Sequence, residues 1–124
     1  MTKKQRVLIV EDEMLVAMSV ENVLTDAGFD VIGIAGRVDK AKGYIAGKAS
    51  PDVAVMDLNL AGASSVALAD AFVAAGIPFV VLTGYGTMDL PSHLRQVPVL
   101  SKPFDPPRLV RAVEAALGSS GRGP

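Results

Sequence analysis

The sequence predicts an α/β domain in which a doubly wound parallel sheet is covered by helices on both faces. Three observations predict it. Five short apolar runs lack polar alternation, the pattern of strands buried on both sides. Five stretches between and after them carry helical spacing or helix-ending residues. The two kinds alternate along the chain, which calls for parallel strands joined by right-handed crossovers. At 124 residues, and with about 100–150 residues in a typical domain, there is room for one core.

Val7-Leu8-Ile9-Val10 is the first strand. Val16, Val20, Val23, Leu24 and Ala27 then recur at spacings of three and four, one face of a helix, and Gly28 stands where a C-terminal cap belongs. Val31 to Ala35 gives the second strand, and Val38 to about Ala46 a weaker, more polar helix interrupted by Gly43. After the Ser50-Pro51-Asp52 loop, Val53 to Met56 is a third strand that stops at Asp57. Ser65 to Ala75 is alanine-rich and helical and closes at Gly76; Phe79 to Thr83 is the strongest strand signal. Gly84, Gly86 and Pro91 punctuate the next stretch, so a fourth helix around Asp89 to Arg95 is expected to be short or distorted. Val97 to Ser101 is the fifth strand, with Pro98 near its start. Asp105 as N-cap and Pro106 at the first helical position open a last helix whose apolar face is Leu109, Val110, Val113, Ala116 and Leu117. The domain is expected to span 1–118, with a disordered tail over 119–124.

Composition excludes several functions. The chain has 12 basic and 13 acidic side chains and a net charge of -1, without the basic surplus of a broad nucleic-acid footprint. It has no cysteine and one histidine, His93, which rules out disulfides, thiol catalysis and a multi-histidine zinc site. The N-terminal apolar run from Val7 to Val10 leads straight into three acids, too short for a signal peptide. No stretch approaches the roughly 18–20 apolar residues of a membrane span, and a cytoplasmic location is expected.

In open parallel sheets ligands sit beyond the carboxyl ends of the strands. Here those ends read Glu11-Asp12-Glu13, Asp57, Thr83 and Ser101-Lys102-Pro103. Each residue taken alone has a structural reading, as a helix-dipole partner, a turn cap or a solvated charge. Together they deliver carboxylates, a hydroxyl and an ammonium to one edge. Crowded carboxylates need a cation to neutralise them, and all-oxygen donors suit a hard divalent ion such as Mg2+. A cation beside a lysine and a hydroxyl is a place to hold a phosphoryl group, with Asp57 as its nucleophile.

Glu11-Asp12, Asp57, Thr83 and Lys102-Pro103-Phe104, each after the appropriate strand, resemble the response-regulator receiver domains of two-component signalling from roughly Arg6 to Leu117. That resemblance implies a flavodoxin-like five-stranded sheet of order 2-1-3-4-5 with five helices. It implies Asp57 as phosphoacceptor from the phosphohistidine of a sensor histidine kinase or a histidine phosphotransfer protein. Glu11, Asp12, Asp57 and the backbone carbonyl of Asn59 would hold Mg2+. Lys102 would pair with a phosphoryl oxygen, Thr83 would swing its hydroxyl onto it, and Lys102-Pro103 would be a cis peptide. Asn59 and Tyr85 match positions that tune autodephosphorylation.

The sequence departs from that pattern at Val99, where most receivers carry an aromatic, and at Gly84, where alanine is common. The Thr83-Gly84-Tyr85-Gly86 stretch resembles an atypical receiver subset in which Tyr85 could replace the missing aromatic switch; an exposed tyrosine without a role is the alternative. His93 falls in the same region, and a surface histidine without a role is expected there. Three further readings stay open. A haloacid-dehalogenase-like phosphatase would place its nucleophile after the first strand. A flavodoxin-like cofactor binder would not put three acids where a phosphate sits. A receiver-shaped interaction module would never be phosphorylated. The chain ends seven residues after Leu117, so a single-domain regulator is expected, not an enzyme. It would signal through an unknown protein target or serve as a phosphorelay shuttle or sink, as a monomer or weak homodimer, without nucleic acid or membrane.

Overall fold

A computed structural model describes residues 4–47, 50–60, 63–64, 66–84 and 97–118. In chain order the elements are β1 (Arg6–Val10), α1 (Met14–Asp26), β2 (Asp30–Ala35), α2 (Val38–Ala46), β3 (Val53–Asp57), β4 (Asn59–Leu60), β5 (Ala63–Ser64), α3 (Val66–Ala75), β6 (Phe79–Thr83), β7 (Val99–Ser101) and α4 (Pro106–Gly118). The main sheet runs β2-β1-β3-β6-β7 with every pairing parallel. With the short β4–β5 pair set aside, this is the expected order 2-1-3-4-5.

Each strand presents alternate side chains to opposite faces, and the core divides accordingly. Leu8, Val10, Ala54, Met56 and Val81 pack with Ala41 of α2 and Leu68, Ala69 and Phe72 of α3. Val7, Ile9, Val53, Val55, Val80 and Leu82 pack with Ala17, Val20 and Leu24 of α1 and Leu109, Val113 and Ala116 of α4. Both faces being covered is why the strands read as unbroken apolar runs.

Two helices end alike. In α1 the Phe29 N–H donates to the Leu24 carbonyl at 3.0 Å and the Gly28 N–H to that of Thr25 at 3.0 Å, with Gly28 at φ 97°. In α3 the Ile77 N–H donates to the Phe72 carbonyl at 2.9 Å and the Gly76 N–H to that of Val73 at 3.0 Å, with Gly76 at φ 72°. Both are Schellman turns, which require the left-handed residue that glycine supplies. At the start of α4 the Arg108 N–H donates to Asp105 Oδ2 at 3.3 Å, the capping bond expected of Asp105.

Several expectations need correction. The fifth strand begins at Val99 rather than Val97; Pro98 contributes only its carbonyl, which accepts from the Val81 N–H at 2.9 Å. The stretch after Asp57, to which no strand was assigned, forms the antiparallel pair Asn59↔Ser64 and Leu60↔Ala63. Ala27, assigned to the apolar face of α1, is its exposed C-cap, and Ala17 takes the buried place instead. Four helices stand among the described residues where five were expected. The expected helix at Asp89 to Arg95, together with Tyr85, Gly86, Pro91, His93 and the 119–124 tail, lies outside the described residues. No described helix is long and apolar enough to cross a membrane.

Candidate functional site

Parallel pairing places the carboxyl ends of β1, β3, β6 and β7 at one edge. Asp57 pairs with Leu82 and Thr83 with Ser101, so the acceptor candidate and the hydroxyl candidate end neighbouring strands. The Lys102 N–H donates to the Thr83 carbonyl at 2.9 Å, extending the ladder by one residue and aiming the chain beyond Ser101 across the edge. The Lys102-Pro103 bond is cis, as expected. On the opposite flank the Glu11 N–H donates to the Ala35 carbonyl at 2.9 Å, which carries β1 one residue past its end.

Lys102 is the centre of the cluster. Its Nζ lies 2.8 Å from Asp57 Oδ2, 3.0 Å from Glu11 Oε1 and 3.1 Å from Glu13 Oε1. Glu11 and Asp57 are buried, Thr83 likewise, while the Glu13 side chain is 63% exposed. Glu11 Oε2 accepts the Glu13 N–H at 3.1 Å. Glu11 Oε1 meets the ammonium as a charge but is buried with no directed hydrogen bond of its own.

Burial pushes the Glu11 carboxyl up to about 7, with the nearby Asp57 charge adding to the rise, although the Lys102 ammonium and the Glu13 N–H pull it down. Burial alone would lower the Lys102 ammonium, but its carboxylate partners, led by Asp57, outweigh that and raise it. The lysine therefore stays charged, and the acids around it remain short of positive charge.

Glu11, Asp12 and Asp57 each offer a carboxylate oxygen, and these oxygens lie within 4.8 Å of one another. Together with the undirected, buried Glu11 Oε1, this hard-oxygen donor set fits a divalent cation of the magnesium kind. The arrangement thus juxtaposes a buried carboxylate, an ammonium in contact with it and an acid set that fits a cation, the kinds of group that phosphoryl transfer uses.

Of the other candidates, the backbone of Asn59 opens β4 two residues beyond Asp57. Gly84 is exposed just past β6, and Val99 is half-buried, packed against the core on the α2–α3 side. Pro103 lines a groove with Leu15, Ser19, Val23, Phe104 and Pro106, between α1 and the start of α4. Sequence reasoning assigned Glu13 no role, although its place as the third of three consecutive acids at a strand end was a usable signal.

The family model of the response regulator receiver domain matches residues 7–114. The transcriptional regulatory protein PdtaR of Mycobacterium tuberculosis is 32% identical over 117 residues, covering 91% of this chain and 57% of PdtaR. The phyllosphere-induced regulator PhyR of Methylorubrum extorquens is 30% identical over 115 residues, covering 90% of this chain and 43% of PhyR. The chain thus spans about half the length of these curated relatives. The solution structure of SdrG from Sphingomonas melonis is 37% identical, with a TM-score of 0.79 over 94% of this chain and 98% of SdrG.

Proposed function

Because the chain belongs to the response regulator receiver domain family, a family of signalling proteins rather than enzymes, we propose that it accepts a phosphoryl group on Asp57. The donor is the phosphohistidine of a sensor histidine kinase or histidine phosphotransfer protein. The observation that carries this reading is the 2.8 Å contact between Lys102 Nζ and Asp57 Oδ2 inside the acid cluster of Glu11 and Asp12.

In the proposed transfer an oxygen of Asp57 attacks phosphorus, the bond from phosphorus to the histidine nitrogen breaks with its electron pair left on that nitrogen, and the histidine, carrying a proton on its other ring nitrogen, leaves as neutral imidazole. The product is an acyl phosphate. Lys102 holds a phosphoryl oxygen with its ammonium, and the Thr83 hydroxyl donates to another from the adjacent strand end. Glu11, Asp12, Asp57 and the Asn59 carbonyl are the proposed Mg2+ ligands; the ion, when bound, supplies positive charge against the phosphoryl oxygens. The output is a contact with a protein target, or onward transfer in a phosphorelay, in the cytoplasm.

The test is intact-mass measurement of wild type and Asp57→Asn after incubation with Mg2+ and a small-molecule phosphodonor. Wild type is expected to gain one phosphoryl group and Asp57→Asn none. A wild type that gains nothing, and does not bind beryllofluoride either, would instead be a receiver-shaped interaction module.

A further inference from the structure

Resting on the reading of Asp57 as phosphoacceptor, we propose that Glu13 is a positioning residue. Its carboxylate holds the place on the Lys102 ammonium that an oxygen of the incoming phosphoryl group takes over, so that phosphorylation exchanges one anion for another. Three carboxylates surround Nζ: Asp57 Oδ2 at 2.8 Å and Glu13 Oε1 at 3.1 Å accept hydrogen bonds from it, and Glu11 Oε1 lies 3.0 Å away as a charge alone. Two of them, on Asp57 and Glu11, are buried and form the floor of the site. The third, on Glu13, is 63% exposed and stands on the solvent side, from which a phosphoryl group must arrive.

Glu13 is also the N-cap residue of α1, yet its side chain makes no capping bond to that helix. It reaches instead to a lysine 89 residues away. Its own backbone N–H is spent on Glu11 Oε2 at 3.1 Å, which fixes the root of the side chain beside the floor. An exposed ion pair of this kind is weak, so an anion of higher charge displaces it readily. Until that happens the carboxylate keeps Lys102 extended toward the mouth and repels anions that Lys102 alone would attract.

Removing the Glu13 charge therefore weakens the hold on one lysine donor, because a neutral amide oxygen is a poorer acceptor from an ammonium, and clears a like charge from the path of the phosphoryl group. Glu13→Gln is expected to bind beryllofluoride, with Mg2+ in excess, about two- to fivefold more tightly than wild type, the range set by an exposed ion pair. Calorimetric titration of wild type, Glu13→Gln, Glu13→Asp and Asp26→Asn measures this, with urea denaturation confirming that each is folded. Glu13→Asp keeps the charge and is expected to stay near wild type. Asp26→Asn removes the same charge from the exposed far end of α1 and is expected to bind as wild type does. Equal or weaker binding by Glu13→Gln overturns the proposal, and so does equal tightening by Asp26→Asn. If wild type itself binds no beryllofluoride, the reading of Asp57 falls and this proposal falls with it; if wild type binds and Glu13→Gln changes nothing, only this proposal falls.

Discussion

Replacing Glu11 by glutamine should flatten the pH dependence of stability, and the sign is set by where its proton sits. In the folded chain burial holds the Glu11 carboxyl at about 7, against 4.5 for the ordinary group. Between those values the folded state keeps a proton that the unfolded state has released. Stability therefore falls as pH rises: the contribution is fully present below about 4.5 and is lost as pH passes through about 7. At about 1.4 kcal/mol per pH unit, the interval from 4.5 to about 7 corresponds to at most roughly 3–4 kcal/mol. Lys102 does not interfere, because its raised ammonium acts only above its ordinary value of 10.5. Urea denaturation of the metal-free protein at intervals from pH 5 to 8 measures the effect. Wild type should lose stability across that range relative to Glu11→Gln, which keeps the shape of the protonated acid. Parallel curves for the two proteins would refute the claim that burial of Glu11 outweighs its pairing with Lys102.

Lys102→Met should cost about 2–4 kcal/mol near neutral pH, because it strands the buried carboxylates of Glu11 and Asp57 without their cation; added Mg2+ should raise its melting temperature more than that of wild type. Gly33→Ala should cost about 1–3 kcal/mol in urea denaturation, since a Cβ there would meet the Tyr44 hydroxyl and come within 2.5 Å of Tyr44 Cζ. Combining it with Tyr44→Ala should reduce the penalty attributable to residue 33. Gly28→Ala, forced into φ 97°, should cost about 1–2 kcal/mol by the same measurement.

Most of the fold was legible because both sheet faces are covered: Val7 to Val10, Val53 to Met56 and Phe79 to Leu82 stand out as unbroken apolar runs. Gly28 and Gly76 marked the helix ends for a local reason, the left-handed turn after the last carbonyls. The β4–β5 pair was not legible, since two residues a side carry no periodicity. Nor was the contact of Tyr44 with Gly33, which depends on how α2 lies over β2 and on the register shift between Val7 and Leu8. In the site, the strand-end rule located Glu11, Asp12, Asp57, Thr83 and Lys102. It could not show that one ammonium serves three acids, because the approach of Glu13 to Lys102 depends on the crossing of chain segments 89 residues apart.

The position of Lys102 along the chain has a consequence for biosynthesis. The carboxylates of Glu11, Glu13 and Asp57 follow β1 or end β3, whereas their shared cation, Lys102, follows β7, a three-residue edge strand paired only to β6. While a ribosome is still making residues beyond β6, the growing chain holds these acids without the lysine that pairs them. Docking of the last strand supplies that charge, so the acid cluster gains its lysine only once β7 has emerged and paired. A product terminated before β7 would bring these acids together only with Glu11 protonated or with a cation bound among them.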